Sequence, residues 1–182
     1  MRRQLIQPYL FVFGIALTLS ACFNEPNYSD TPEIEFKEVS PPYTIEAGTG
    51  IGKQKRDSVI ITIGFKDGDG NLGNDVPVPK ADSARYVSNG NWGNYKIRTF
   101  RLVNKKYEEV NLQENRILYF PDLTKGKPKG AIEGTLEFRQ IYYYGNRFRR
   151  YPVKYQIQIR DRALNQSNVI ETDTVTVAFP EN

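Results

Sequence analysis

Residues 64–75 read GFKDGDGNLGND. Asp67, Asp69 and Asn71 alternate there as oxygen ligands do in calcium loops, where a hard divalent ion collects carboxylate and amide oxygens. Asp75 follows after Asn74 and supplies a fourth candidate oxygen ligand. The helix-loop-helix calcium motif wants glycine at its sixth position and glutamate at its twelfth, and here Leu72 and Val78 hold those places. The same residues also make a tight turn, because Asp-Gly pairs are strong turn formers and glycine supplies positive φ without strain. The turn is the preferred reading, with Ca2+ as the candidate cofactor should the oxygens converge.

Two further stretches carry side chains suited to recognition. SNGNWGNY, residues 88–95, surrounds the only tryptophan with glycine and asparagine. On an open loop Trp92 could stack on a sugar ring, whereas at the start of a strand it packs into a core; the second reading is preferred. YYYGNRFRRY, residues 142–151, sets Arg147 and Arg149 beside Tyr142, Tyr143 and Tyr144 around a Gly-Asn turn. Read as a hairpin tip, it could hold an anionic glycan, a lipid headgroup or a protein, or it could be a strand pair with its arginines in water.

Catalysis has little to work with. The chain has no histidine, which excludes histidine triads and histidine-ligated zinc. AGTGIGK, residues 47–53, lacks the first glycine and the Ser/Thr of a phosphate-cradling loop, since Ala47 and Gln54 stand there. No serine, lysine or carboxylate pair stands at a spacing that implies a reaction. The net charge of +4 includes Arg2 and Arg3 of the first segment, leaving about +2 for the rest, too little for a nucleic-acid-binding face. The expectation is a non-catalytic protein.

The elements that must position these residues begin after an export segment. MRRQLIQPYLFVFGIALTLSAC has two arginines, an apolar run from Tyr9 to Leu19, and small residues before Cys22. Leu19-Ser20-Ala21-Cys22 resembles the lipobox of bacterial lipoproteins. That resemblance implies cleavage of residues 1–21, a thioether-linked diacylglycerol on Cys22, and often an amide-linked acyl chain such as palmitate. Cys22 is the only cysteine, so no disulfide competes for it. Phe23, in place of a retention aspartate, implies the outer membrane, with the periplasmic or surface face open. Residues 22–32, with two prolines among polar side chains, read as lipidated cysteine and tether.

Residues 33–182 read as one all-β domain of about seven strands: PEIEFKEV, DSVIITIGF, NYKIRTFRLV, NRILYF, IEGTLEFRQIYYY, VKYQIQIR and NVIETDTVTVAF. No segment reads as a helix. Alternation in VKYQIQIR places Val153, Tyr155, Ile157 and Ile159 inside, and Lys154, Gln156, Gln158 and Arg160 in solvent. The last pair resembles the closing hairpin of bacterial immunoglobulin-like domains, through Asp161, Ala163, Asn165, Ser167 and Asn168, with Leu164 where glycine is usual. The resemblance implies an immunoglobulin-like antiparallel β-sandwich. The chain is thus expected to be a membrane-anchored binding or assembly module of the cell envelope, partnered by an envelope protein or a glycan. The alternative is a glycan-binding lipoprotein of an uptake or adhesion system, and a small envelope enzyme is a third, weaker expectation.

Overall fold

The computed structural model describes residues 26–126 and 130–180; the export segment and Cys22 lie outside the described residues. The domain is all-β apart from one short helix, with strands β1 (Glu33–Val39), β2 (Tyr43–Ile45), β3 (Arg56–Asp67), β4 (Tyr95–Val103), β5 (Lys106–Val110), β6 (Ile132–Tyr143), β7 (Phe148–Ile159), β8 (Ile170–Glu171) and β9 (Val175–Pro180). All strand pairs are antiparallel and fall into two sheets.

In the first sheet β6 runs along the whole of β3, from Arg56↔Tyr143 to Asp67↔Ile132. The other edge of β3 is shared: β1 covers residues 61–66 and β2 covers 56–58. In the second sheet β7 is central. β4 lines it from Val153 to Ile159, and β9 and β8 divide its opposite edge. Alternation fixes which faces meet. Val59, Ile61 and Ile63 of β3 and Val153, Tyr155, Ile157 and Ile159 of β7 have no exposed surface, and they join Ile97, Val177 and Phe179 in one core. The hydroxyls of Tyr142 and Tyr155 meet in this core at 2.8 Å, joining β6 of one sheet to β7 of the other. Burial raises the pKa of both phenols, so the pair stays neutral.

The structure departs from the sequence reading in several places. Lys80–Ser88 forms a helix, α1, which burial explains: only Tyr86 is buried, so no apolar stripe announces it. The ring of Tyr86 meets Tyr119 edge-on at 5.6 Å, and its hydroxyl donates to the Asp161 carbonyl at 3.2 Å. NRILYF is not a strand. Beyond single bridges at Leu118 and Pro121, the backbone of Phe120 is held by Asn94, whose side chain accepts from Phe120 N at 2.8 Å and donates to its carbonyl at 3.1 Å. The polar segment KYEEV forms strand β5 instead, reached through Asn104 and Lys105 at φ 49° and 65°, the two-residue turn that suits hairpin twist.

The segment read as a hairpin at residues 142–151 is a crossing. β6 belongs to the first sheet and β7 to the second, so Gly145 and Asn146 lie on a link between sheets. Arg160 was expected in solvent and is fully buried.

Candidate cation site and exposed aromatic tip

The strands of the two sheets carry the candidate residues to opposite ends of the domain. β3 and β7 are each twelve residues long, so the ends stand roughly 35–40 Å apart.

At one end, β3 finishes at Asp67 and its loop folds inward rather than out into solvent. Leu72 enters the core with no exposed surface. Gly70 (φ 66°) and Gly73 (φ 87°) are glycine for two reasons. Their φ disfavours other residues, and a Cβ would stand 2.4 Å from the Gly130 carbonyl oxygen and 2.0 Å from that of Pro121. The loop is pinned on all sides. Thr124 Oγ1 donates to the Gly70 carbonyl at 3.1 Å, and Arg162 N donates to the Asn71 carbonyl at 3.2 Å. Arg162 also reaches the Gly73 carbonyl at 3.3 Å and the Asp122 carboxylate at 3.1 Å.

Against this loop packs the turn after β7. Asp161 Oδ1 accepts from Asn165 N at 2.7 Å and Oδ2 accepts from Asn165 Nδ2 at 2.9 Å, which closes the turn and holds Leu164 at φ 73°. Ser167 caps the end of the strand by accepting from Ile159 N at 3.0 Å. Asn168 behaves as one more rung beside β1, exchanging two 2.8 Å bonds with the backbone of Ile34.

The result is a cluster of three carboxylates. One oxygen each of Asp67, Asp69 and Asp161 lies within 4.8 Å of the others, and Asp67 and Asp161 are fully buried. Asp67 Oδ2 accepts from Asn71 N at 3.0 Å, and Asp69 Oδ2 accepts from Asn71 Nδ2 at 2.6 Å. Burial, then the neighbouring charges of Asp69 and Asp161, push the Asp67 carboxyl up to about 7. Among the described residues no lysine or arginine forms an ion pair with any of the three.

Three of the four ligands read from the sequence therefore meet, and one does not. Asp75 is exposed and faces Lys125 Nζ at 3.6 Å, because the chain turns away after Asn74. Its place is taken by Asp161, which the sequence reading had assigned only to the closing turn. No local spacing could have linked Asp161 to Asp67; only the packing of the two sheets does.

Trp92 belongs to this same end and is not free to stack on a ligand. It is 5% exposed, with the Arg160 guanidinium 4.0 Å from its ring centre. It precedes β4 rather than starting it, and lies outside the central apolar cluster. Arg160 explains the arrangement. It donates to the carbonyls of Gly93 at 2.8 Å, Asn89 at 2.6 Å and Tyr86 at 2.7 Å, and also to that of Trp92. One buried cation thus closes the C-terminal end of α1 and the loop behind it.

The other end carries the remaining candidates, and they do not act as one surface. Tyr142 is 4% exposed and committed to Tyr155. Tyr144 is half-buried, donating to Asp57 at 3.0 Å and accepting from Arg150 at 2.7 Å. Asp57, itself buried, also accepts from Thr44 Oγ1 at 2.8 Å and faces Arg150 at 3.4 Å, which fixes the crossing between sheets. Tyr143, Arg147 and Arg149 are exposed, together with Phe148, whose ring packs on Tyr144 at 4.4 Å. Tyr43 is further exposed apolar surface, at a residue that the sequence reading did not single out.

No protein-family model matches the chain, and no curated protein or solved structure matches it significantly.

Proposed function

We propose that the chain is a lipid-anchored, non-catalytic binding module of the bacterial envelope, held to the outer membrane through Cys22 and presenting its far end to a partner. The supporting observation is polarity. The chain enters the domain at the cation-site end: Tyr28 donates to Glu133 at 2.8 Å, and the Ser29 carbonyl accepts from Gly68 N at 2.8 Å. Ordered contacts thus begin inside the stretch read as tether. The five residues between Cys22 and Tyr28 allow no more than about 20 Å from lipid to domain. The tip with Tyr143, Phe148, Arg147 and Arg149 then points away from the bilayer, where aromatic and arginine side chains can anchor a protein partner.

The immunoglobulin-like resemblance fits this reading. With the divided edges counted as single strands, β3 and β6 lie in one sheet and β4, β7 and β9 in the other. That is the division of the second and fifth strands from the third, sixth and seventh in such sandwiches. The glycan alternative is weaker, because Trp92 is buried and stands at the opposite end from Tyr143.

The test combines localisation with surface substitution. Wild-type protein is expected in the outer-membrane fraction and Cys22→Ser in a soluble exported fraction. Tyr143→Ser with Phe148→Ser should leave the melting temperature unchanged and remove whatever cross-links to the wild-type tip in intact envelopes. Equal partitioning of wild type and Cys22→Ser, or an unchanged cross-linking pattern, would contradict the proposal.

A further inference from the structure

We propose that Asp67, Asp69, Asn71 and Asp161 form a binding site for a hard divalent cation, calcium first, that ties the two sheets together at the tethered end. Two kinds of observation meet here. The first is the convergence of three carboxylates, two of them buried, with which no lysine or arginine among the described residues forms an ion pair. Donors about 2.4 Å from a shared calcium ion stand at most about 4.8 Å apart, the span within which these oxygens fall.

The second is independent of charge. Asp67 is fully buried, yet its Oδ1 accepts no hydrogen bond. Asn71 Oδ1 is likewise buried without a donor. A buried acceptor without a partner is costly, and native proteins supply one with few exceptions. Three carboxylates, one of them with an unpartnered oxygen, and the free amide oxygen of Asn71, with neither nitrogen nor sulfur in the set, match the ligands that calcium takes.

The topology gives the ion a role. Asp67 ends β3 in the first sheet and Asp69 follows in its loop, whereas Asp161 follows β7 in the second. A shared ion would therefore cross-link the sheets where the chain enters from the membrane, as the Tyr142–Tyr155 pair does through the core.

The experiment uses the soluble exported form, Cys22→Ser, stripped with chelator and titrated with calcium chloride at constant ionic strength. Calorimetry is expected to show one site, and the melting temperature should rise by about 5–10 °C at a hundredfold excess over Kd. Asp69→Asn keeps the turn and should weaken binding at least tenfold. Asp161→Asn should do the same from the other sheet. Asp75→Asn, outside the cluster, should bind as the parent does. No heat and no shift at 10 mM calcium, a shift that sodium chloride reproduces, or undiminished binding in both Asp69→Asn and Asp161→Asn would overturn the site.

Discussion

Replacing Arg160 by methionine keeps most of the side-chain volume and removes the charge and every donor. Four backbone carbonyls, those of Tyr86, Asn89, Trp92 and Gly93, then lose a charged donor, three of them at 2.6–2.8 Å, and that of Tyr86 keeps only the Asn89 N–H at 3.3 Å. A hydrogen bond to a charged group is worth about 1.5–3 kcal/mol net, but the four share one guanidinium whose own desolvation opposes them. That desolvation is evident in the Arg160 pKa, which burial lowers from the ordinary arginine value. The balance is a loss of roughly 3–5 kcal/mol, the range seen when one partner of a buried charge is removed. Urea unfolding at 25 °C, followed by tryptophan fluorescence, reads it directly. With a slope of about 2 kcal/mol per M the midpoint should fall by roughly 2 M. Trp92 should also gain solvent exposure in the folded baseline, since its ring stacks on the guanidinium. Arg160→Lys keeps the charge, but one ammonium cannot span four carbonyls, so it should still cost about 2 kcal/mol or more. A loss below about 1 kcal/mol in both variants would refute the account of this residue.

Three more outcomes are expected. Ile157→Ala, emptying a site with no exposed surface, should cost about 2–5 kcal/mol, while Gln156→Ala beside it stays within about 1 kcal/mol; equal losses would contradict the one-sided strand. Leu164→Gly should leave stability unchanged or raise it by up to about 1 kcal/mol, because φ 73° strains leucine and suits glycine; a loss above that size in chemical denaturation would argue against the turn. In chelator, the folded protein holds the Asp67 proton to about pH 7, whereas the unfolded chain releases it near pH 3.8. The stabilising contribution is therefore full below pH 3.8 and drains away as pH rises to about 7, on the order of 4 kcal/mol at the limit. Asp67→Asn should flatten that part of the stability–pH curve, and an unchanged slope would show that Asp67 ionises normally.

The sequence made the regular parts of this fold legible and left the exceptions hidden. β3 and β7 announce themselves because their side chains alternate, and the residues read as inward, Val153 to Ile159, have no exposed surface. β5 and α1 were missed for one reason: each meets the domain through few buried side chains, so neither writes a period into the sequence. NRILYF misled in the other direction, being apolar enough for a strand but held by Asn94 instead of a ladder.

The candidate sites show the same limit. Asp67, Asp69 and Asn71 lie within five residues and could be grouped by eye, while Asp161 joins them only through the packing of two sheets. Trp92 was expected in the core at the start of a strand and Arg160 in solvent; instead the two are buried against each other, outside the central apolar cluster. Tyr142, Tyr143 and Tyr144 are consecutive yet meet three environments: the core, open solvent and a bond to Asp57.

The central claim is that this domain stands on a membrane by a lipid on Cys22, cation-site end inward. Intact-mass spectrometry of the mature protein, extracted from bacterial envelopes with detergent, tests it most directly. The account predicts a chain that begins at Cys22 and carries a diacylglycerol, with or without a further acyl chain, all of it on the amino-terminal peptide. A mature protein that begins elsewhere, or begins at Cys22 with the thiol unmodified, would contradict it.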